Sequence, residues 1–500
     1  MKVCLIIPPS VFLLDERVFV SLGILKVASS LEARGHQVEV LDLSGVANFE
    51  EAAATHADSS CARVFALTAT TPQMPAAAKI VHAIKGSAAW QRDVRLIVGG
   101  PHPTLVNAAV KQGSPRAKVA MTKLLELFDV VVAGDGEDAI EPALRASTGS
   151  IVDADDPKGP LFLTSKRLEL SPPPARHLVD LESYHYSIDG VDATTLVAQL
   201  GCPFACTFCG GRASPMLRRI RTRSTQSILD EIAHLHDRYG YRGFMFYDDE
   251  LNVNKSVVEL MRGIATLAKN RSTEFRLRGF VKAELFTAEQ AEAMYAAGFR
   301  WLLTGFESGS PRILDNINKK ADVEDNDRCV AHARAAGLKV KALMSIGHAG
   351  ESATTVEETR QWLLRTKPED FDCTIITPYP GSPYYDEAAL ISGGETSFGS
   401  FDVPIWTYTA PRTKDRLHAF EVDYTKDADY YKGAPGGGYV SNVFTDHLSP
   451  KELVILRDDL EETVRAALGI PFNQSAAAIR YEHSMGQAGP LPTNILRSTP

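Results

Sequence analysis

Twice along this chain, short apolar runs alternate with amphipathic segments, and that rhythm limits the folds open to it. Residues 1–150 carry strand candidates at Val3–Ile7, Val38–Leu41, Val64–Thr68, Leu96–Val98 and Val130–Ala133. Helical candidates stand between them at Leu22–Arg34, Ala76–Lys85 and Asp138–Arg145. In the first helix Leu22, Leu25, Ala28 or Ser29, and Leu31 recur at helical spacing, and Gly35 supplies a C-terminal cap. Continuous apolar strands alternating with helices require a parallel sheet covered on both faces. Residues 1–150 therefore read as a doubly wound α/β domain. Ligands of such sheets bind outside the carboxyl ends of the strands. Those ends here are Pro8-Pro9-Ser10, Thr68-Ala69-Thr70-Thr71, Gly99-Gly100-Pro101-His102-Pro103 and Gly134-Asp135-Gly136-Glu137. Small, polar and Gly-rich, they admit the close backbone approach of a nucleotide-sized ligand.

Residues 151–194 read as a linker, because Pro157, Gly159, Pro160 and Ser171-Pro172-Pro173-Pro174 interrupt any period. From Thr195 the rhythm resumes, with strand candidates at Thr195–Leu200, Gly243–Tyr247, Phe275–Gly279, Trp301–Gly305, Lys339–Ser345 and Cys373–Thr377. Tyr239-Gly240, Ala297-Gly298 and Ala336-Gly337 each close a helix before the next strand. Thr287-Ala288-Glu289-Gln290 is a capping box, and Ile228, Ile232, Leu235 and Tyr239 form an apolar stripe. Six strand–helix units fit a partial (β/α)6 TIM-type barrel over 195–395, with its working residues at the carboxyl ends of the strands. Residues 396–472 turn aromatic and loop-rich, with a glycine run from Gly433 to Gly438 and a helix over Pro450–Leu468. That helix sets Leu453, Leu456, Leu460 and Val464 on one face. The region reads as a small α+β cap on the substrate side, or as a buttress of the barrel. Residues 473–500 read as a poorly ordered tail.

Of the 500 residues 44% are hydrophobic and 23% charged, the balance of an ordinary globular protein. A net charge of −9 argues against nucleic acid as the main partner. The one basic run, Arg218-Arg219-Ile220-Arg221-Thr222-Arg223, reads as surface or as support for the loop before it, and second as a grip on an anionic group. No apolar run approaches membrane-spanning length. Met1-Lys2 leads straight into Val3–Ile7 and Pro8-Pro9, without the pattern of a signal peptide. Cys4, Cys61, Cys329 and Cys373 are scattered singly in apolar contexts and form no disulfide framework, which points to the cytoplasm.

The other three cysteines stand in Gly201-Cys202-Pro203-Phe204-Ala205-Cys206-Thr207-Phe208-Cys209-Gly210-Gly211. Iron–sulfur clusters are held by cysteine thiolates, and a cubane offers four irons. Three thiolates leave one iron open to a substrate's nitrogen and oxygen, much as an open position marks a catalytic zinc site. Three buried cysteines, or a zinc site with a distant fourth ligand, are the competing readings. The spacing, with Phe208 just before the last cysteine, resembles the signature of the radical S-adenosylmethionine enzymes. Beside it, Ser21-Leu22-Gly23, Gly99-Gly100-Pro101-His102 and Gly134-Asp135-Gly136-Glu137 resemble the motifs of that group's cobalamin-dependent family. The first domain is then a flavodoxin-like cobalamin-binding domain. The resemblance covers roughly residues 1–395.

The resemblance implies a 4Fe-4S cluster on Cys202, Cys206 and Cys209. It implies cobalamin against the strand ends and first helix, at Pro8, Ser10, Leu22, Gly23, Thr68, Thr70, Gly100, His102, Gly134 and Glu137. S-adenosylmethionine is expected beside Phe208 and Gly210, with its amino group on Asp249 or Glu250. Arg278 adds a cation, and Glu307 or Ser308 meets the methionine or ribose. Gly347 opens a strand end, Ser345-Ile346-Gly347-His348-Ala349-Gly350-Glu351, that departs from the family's Gly-Leu-Pro-Gly-Glu at His348 and Ala349. The loop Pro8–Arg17 has no histidine, so Val11, Phe12, Leu13 and Leu14 are expected as apolar cover below the corrin, with no protein nitrogen on cobalt. The implied reaction takes a hydrogen from an unactivated carbon of a small-molecule substrate with a 5′-deoxyadenosyl radical, and methylcobalamin supplies a methyl group. Ring closure, ring contraction or oxidation without methyl transfer is the alternative, and a non-catalytic sensor is the rival from another class. An electron donor such as flavodoxin or ferredoxin is the expected partner, with no nucleic acid and no membrane span.

Overall fold

The structure is a computed structural model, and its described residues are 1–13, 15–391, 395–396, 398–433 and 438–471. The first unit runs β1 (Lys2–Ile7), α1 (Leu22–Ala33), β2 (Gln37–Asp42), α2 (Phe49–Ser59), β3 (Val64–Thr68) and α3 (Met74–Gly86). It continues with β4 (Arg95–Gly99), α4 (Pro101–Lys111), α5 (Pro115–Leu127), β5 (Val130–Gly134), α6 (Gly136–Arg145) and β6 (Ser150–Ala154). The strands lie all parallel in the order β2-β1-β3-β4-β5-β6. Cys4, Phe65 and Leu96 enter one buried layer with α2–α5, while Leu5, Ala66 and Ile97 enter the other with α1 and α6. Burial on both faces is why these strands are apolar throughout. The order reverses at β1, with β2 on one side and β3 on the other, and there such a sheet opens a crevice.

The stretch 151–194, expected as a linker, is partly built into the two sheets. Residues 150–154 form β6, a sixth strand beside β5. Further on, α7 (Ser165–Leu170) is followed by a segment in which Ala175 N–H donates to the Leu25 carbonyl at 3.0 Å. Arg176 is buried and donates to the Thr195 carbonyl at 2.6 Å. The prolines break regular structure there without freeing the chain from the surface below it.

The second sheet starts with β7 (Ser187–Ile188), antiparallel to β8 (Val191–Leu196). A ribbon of β9 (Gln199–Leu200) and β10 (Arg221–Thr222) brackets α8 (Pro215–Arg218). Then come α9 (Thr225–Tyr239), β11 (Gly243–Phe246), α10 (Val257–Asn270), β12 (Arg276–Phe280), α11 (Ala288–Ala297) and β13 (Phe299–Glu307). The unit closes with α12 (Pro311–Asn316), α13 (Val323–Ala335), β14 (Lys339–Ile346), α14 (Ala353–Thr366) and β15 (Asp370–Ile375). From β8 to β15 the pairing is parallel, in the order β15-β14-β13-β12-β11-β8. The first parallel strand is Val191–Leu196, not Thr195–Leu200. The Asp248 carboxylate captures the Ala198 and Gln199 N–H groups and turns the chain out of the sheet there.

Beyond the barrel lie α15 (Pro383–Asp386), β16 (Ala389–Leu390), β17 (Glu395–Thr396), β18 (Gly399–Ser400), β19 (Ile405–Thr409), β20 (Arg416–Phe420), β21 (Val443–Thr445) and α16 (Pro450–Leu468). An antiparallel sheet, β16-β19-β20-β21, forms the body of the cap. Tyr385, Val422, Tyr424 and Tyr430 join the core of the first unit, while Leu453, Leu460 and Val464 join the core of the barrel. The cap therefore bridges both sheets. The glycine run expected as a turn lies largely outside the described residues, and the tail 473–500 lies wholly outside them.

Candidate functional site

The cysteine loop is tied down from several sides. Gly201 enters it at φ +90°, and a Cβ there would collide with the Arg219 carbonyl. Cys202 N–H donates to Leu217 O at 2.9 Å, Thr207 N–H to Ile317 O at 2.9 Å, and Asn318 Nδ2 to Ala205 O at 2.8 Å. Arg218 donates to the Phe204 and Pro203 carbonyls at 2.9 and 2.7 Å, so the basic run supports this loop. Cys206 is buried and Cys202 half-buried; Cys209 is exposed yet walled by protein. Burial pushes the Cys202 thiol up to about 12 and the Cys209 thiol to about 11, and raises Cys206 as well. Such thiols ionise readily only against bound positive charge.

The donor set fits an iron–sulfur cluster better than a single ion. Among the described residues, the three-residue donor group lying within 4.8 Å of one another is Cys4, Glu39 and His56. That group is away from the loop, and Glu39 already holds Lys2 at 2.6 Å and the Ser60 hydroxyl. The three motif sulfurs are not gathered so tightly, whereas the ligands of one zinc ion would be.

Charged side chains crowd the neighbouring strand ends. Glu307 ends β13 at φ +66°, and the register of β13 on β14 shifts beside it. Its Oε1 accepts from Lys319 Nζ at 3.0 Å and its Oε2 from Ser345 Oγ at 2.8 Å. Burial opposes the Glu307 charge, but Lys319 and Ser345 outweigh it and hold the carboxyl below its usual range. Burial pushes Glu250 up to about 7, against the pull of Lys319 and Lys282. Lys282 pairs with Glu284 at 2.8 Å and stands 4.4 Å from the Phe204 ring centre. In the acidic run, burial lifts Asp248 to about 7 while the carboxylate anchors backbone, and Asp249 accepts from Gly201 N–H at 3.1 Å.

The remaining residues expected at S-adenosylmethionine divide. Phe208 lies 5.4 Å from the His348 ring, and Gly210 fits against Leu105 of α4. Arg278 is buried inside the barrel 5.8 Å from the Trp301 ring, with Nε and Nη2 making no hydrogen bond among the described residues. Ser308 has partners within the protein. Its hydroxyl is spent on Thr359 Oγ1 at 3.0 Å and on Ser310 N–H at 3.1 Å, so it shapes the turn after β13. Gly347 sits on the seam with the cap, where a Cβ would meet Ile375 and Val443 at 3.2 Å.

A cavity of about 1260 Å³ opens at the carboxyl ends of the first sheet and continues to the mouth of the barrel. Ser10, Leu22, Gly23, Thr68, Thr70, Gly100, Gly134 and Glu137 line it, as expected for a large ligand. Its inner part is an apolar slot between Leu5, Ile7, Ala66, Ile97 and Val132 of the sheet and Ile24 and Ile140 of α1 and α6. Gly23 has no atom within 4 Å of where a Cβ would stand, so a larger residue would project into the space. Size, apolar depth and glycine-lined rim fit a corrinoid. Pro8 and His102 do not line the cavity. The Pro8 carbonyl accepts from Gln73 Nε2 at 3.0 Å, and the same amide meets Ser10 Oγ at 3.0 Å, so Pro8 acts at one remove. The first turn of α4 carries His102 away from the strand end, to Thr71 Oγ1 at 3.1 Å and 5.6 Å from the Tyr424 ring. Burial there pushes its pKa down to about 3.

The far wall comes from the barrel and cap: Gly201, Arg221, Tyr247, Asp249, Tyr431 and Lys432. Arg221 also pairs with Asp135 across the two units. Lys282, Lys319 and Lys432 escaped the sequence reading, whereas Arg221 lay in the basic run and Tyr431 in the aromatic region after the barrel. Lys282 alone had a signal, its place directly after a barrel strand.

Residues 16–144 match the family model of the B12 binding domain, and residues 196–363 match that of the radical SAM superfamily. A Pyrococcus horikoshii protein named as an uncharacterized methyltransferase is 26% identical over 398 residues, spanning 78% of this chain and 83% of that protein. The anaerobic magnesium-protoporphyrin IX monomethyl ester cyclase of Cereibacter sphaeroides is 23% identical over 305 residues, 58% of this chain and 48% of its own length. In fold, the chain is similar to the radical S-adenosylmethionine methyltransferase TsrM of Kitasatospora setae with cobalamin and a 4Fe-4S cluster bound. The TM-score is 0.62 over 95% of this chain and 90% of that one, at 16% identity. With both domain models in tandem on the two sheets that wall one cavity, the chain combines a B12 binding domain with a radical SAM domain.

Proposed function

We propose that this enzyme transfers a methyl group to an unactivated carbon of a small-molecule substrate. The observation that carries the reading is the single cavity shared by the glycine-rich ends of the first sheet and the mouth of the barrel. When bound, the cluster with S-adenosylmethionine supplies radical chemistry, and cobalamin supplies a methyl carrier. Cys202, Cys206 and Cys209 would hold the cluster, and Ser10, Thr68, Thr70, Gly100 and Gly134 the corrinoid. Asp249 or Glu250, with Glu307, would orient the methionine end of S-adenosylmethionine. Tyr431 meets Phe12 edge-on at 5.1 Å and helps to exclude water from the chamber. We take the functional units as the first sheet through Ala154, the barrel from Ser187, and the cap beyond it. A flavodoxin or ferredoxin serves as electron donor in this reading, and the cytoplasm as location accords with cysteines that form no disulfide. Among the described residues no helix is long and apolar enough to cross a membrane.

Turnover with methyl-deuterated S-adenosylmethionine, hydroxocobalamin, a reductant and acceptors suggested by genomic neighbours tests the reading. A product carrying the labelled methyl is expected. The cyclase among the relatives gives a second reading, ring closure without methyl transfer, whose mark is a changed but unlabelled product. No turnover with bound cofactors would leave the sensor reading and overturn both.

A further inference from the structure

We propose that His348 is a positioning residue for S-adenosylmethionine, fixed as its Nε2–H tautomer so that Ser345 aims Glu307 at the ligand. The inference rests on the reading of Glu307 as a contact of that ligand.

Ser345 Oγ stands 2.8 Å from Glu307 Oε2 and 2.8 Å from His348 Nε2. A hydroxyl carries one proton, and an ionised carboxylate only accepts. Lys319 at 3.0 Å keeps Glu307 ionised, so the Ser345 proton must point to Glu307. His348 Nε2 must then carry hydrogen and donate to Ser345. Nδ1 is left as the acceptor, and the Tyr384 hydroxyl, 3.2 Å away, donates to it. The reverse tautomer would leave Ser345 one proton for two acceptors. His348 is fully buried and burial pushes its pKa down to about 4, so the ring is neutral and has a single N–H to place.

The arrangement matters because Glu307 is a non-glycine residue at φ +66°, a costly conformation that persists only when its surroundings fix it. Lys319 holds one carboxylate oxygen and the Ser345 relay holds the other. The relay begins at Tyr384, whose ring lies 4.9 Å from Tyr408 of β19, so the cap reaches Glu307 through His348. A leucine in place of His348 would fill space and donate nothing.

The test uses the full-length, iron-reconstituted chain and titrates S-adenosylmethionine by calorimetry. His348→Leu and Ser345→Ala are expected to weaken binding about tenfold with iron content unchanged, the loss of one hydrogen bond to a charged group. His348→Gln, whose amide nitrogen takes the place of Nε2, should stay within about twofold. In wild-type protein labelled with 15N-histidine, in the oxidised cluster state, the His348 signals should show the Nε2–H tautomer. That measurement needs no variant and stands even if His348→Leu folds poorly. Wild-type affinity in His348→Leu, or an Nδ1–H tautomer, overturns the proposal. Glu307→Ala separates the two levels. If it leaves affinity unchanged, the reading of Glu307 falls and takes this one with it; if it weakens binding while His348→Leu does not, only the role of His348 falls.

Discussion

Two buried carboxylates near the fifth barrel strand end are treated in opposite ways. Glu307 has a lysine partner and lies below its usual range, whereas Glu351, fully buried, has no cationic partner among the described residues and is pushed up to about 7 by burial. Glu351 accepts from Gly347 N–H at 3.1 Å and Thr355 Oγ1 at 2.5 Å, which softens the cost of its charge without removing it. Its folded pKa therefore exceeds the unfolded value of about 4.3. A carboxyl raised in this way contributes stability that is complete below pH about 4 and is lost as pH rises through about 7. Glu351→Gln should remove that loss. Thermal unfolding across pH 5 to 8 is expected to show wild type falling with pH and the variant on a flatter profile. By pH 8 the variant gains up to about 4 kcal/mol, the shift multiplied by about 1.4 kcal/mol per pH unit. Parallel profiles would mean that the backbone donors already carry the charge.

Helix α16 is joined to the barrel by charge as much as by apolar contact. Arg465 Nε donates to Glu461 at 2.6 Å, while its Nη atoms meet Asp370 at 3.1 Å and Asp372 at 3.2 Å. Arg457 Nε donates to the Cys373 carbonyl at 2.9 Å. Lys341 also meets Asp370 at 2.9 Å and Asp372 at 3.1 Å, so removing Arg465 leaves the three buried carboxylates short of one cation, at a cost of up to about 3–5 kcal/mol. Arg465→Met, which keeps volume and loses charge, should therefore release α16, and limited proteolysis should cut within 440–470 far faster than in wild type. Protection equal to wild type would assign the docking to Leu453, Leu460 and Val464 alone. The sequence showed this helix at its full length because capping and period agree, Ser449 and Glu452 making a capping box. It did not show the charged seam, since partners for Arg465 on β15 are visible only once strand and helix meet. Elsewhere α2 was missed because alanines dominate its inner face, and α4 because Gly-Gly-Pro-His-Pro reads as loop although proline suits a first helical turn. Missing α4 hid that His102 sits in a first helical turn, against Thr71. The strand ends were legible because continuous apolar runs and the small residues after them are local signals. The partners of the Ser308 hydroxyl and of Lys319 are set by tertiary contacts with no local signature.

At the scale of the whole molecule, the cavity belongs to no single unit. Leu22, Thr68 and Gly134 come from the first unit, Met216, Arg221 and His234 from the barrel side, and Tyr431 and Lys432 from the cap. A corrinoid seated there should couple all three, because binding to a chamber stabilises every wall that must open to release the ligand. At about 100 times its dissociation constant, hydroxocobalamin would favour the closed form by about 2.7 kcal/mol, roughly a hundredfold in the opening equilibrium. Hydrogen exchange followed by mass spectrometry on the full-length chain reads this directly. Slowing is expected in peptides from 18–27, 97–101 and 132–140, and equally in peptides from 216–234 and 424–432. The second set decides the matter, for its residues lie up to about 280 positions from the last strand end of the first domain, Ala154, yet Met216, Arg221, His234, Tyr431 and Lys432 face the same space. Slowing confined to residues 1–154 would mean that the corrinoid occupies only the slot between the first sheet and α1 and α6. The barrel and cap would then have to close on it in a later step, and the shared chamber would not be the resting form of the enzyme.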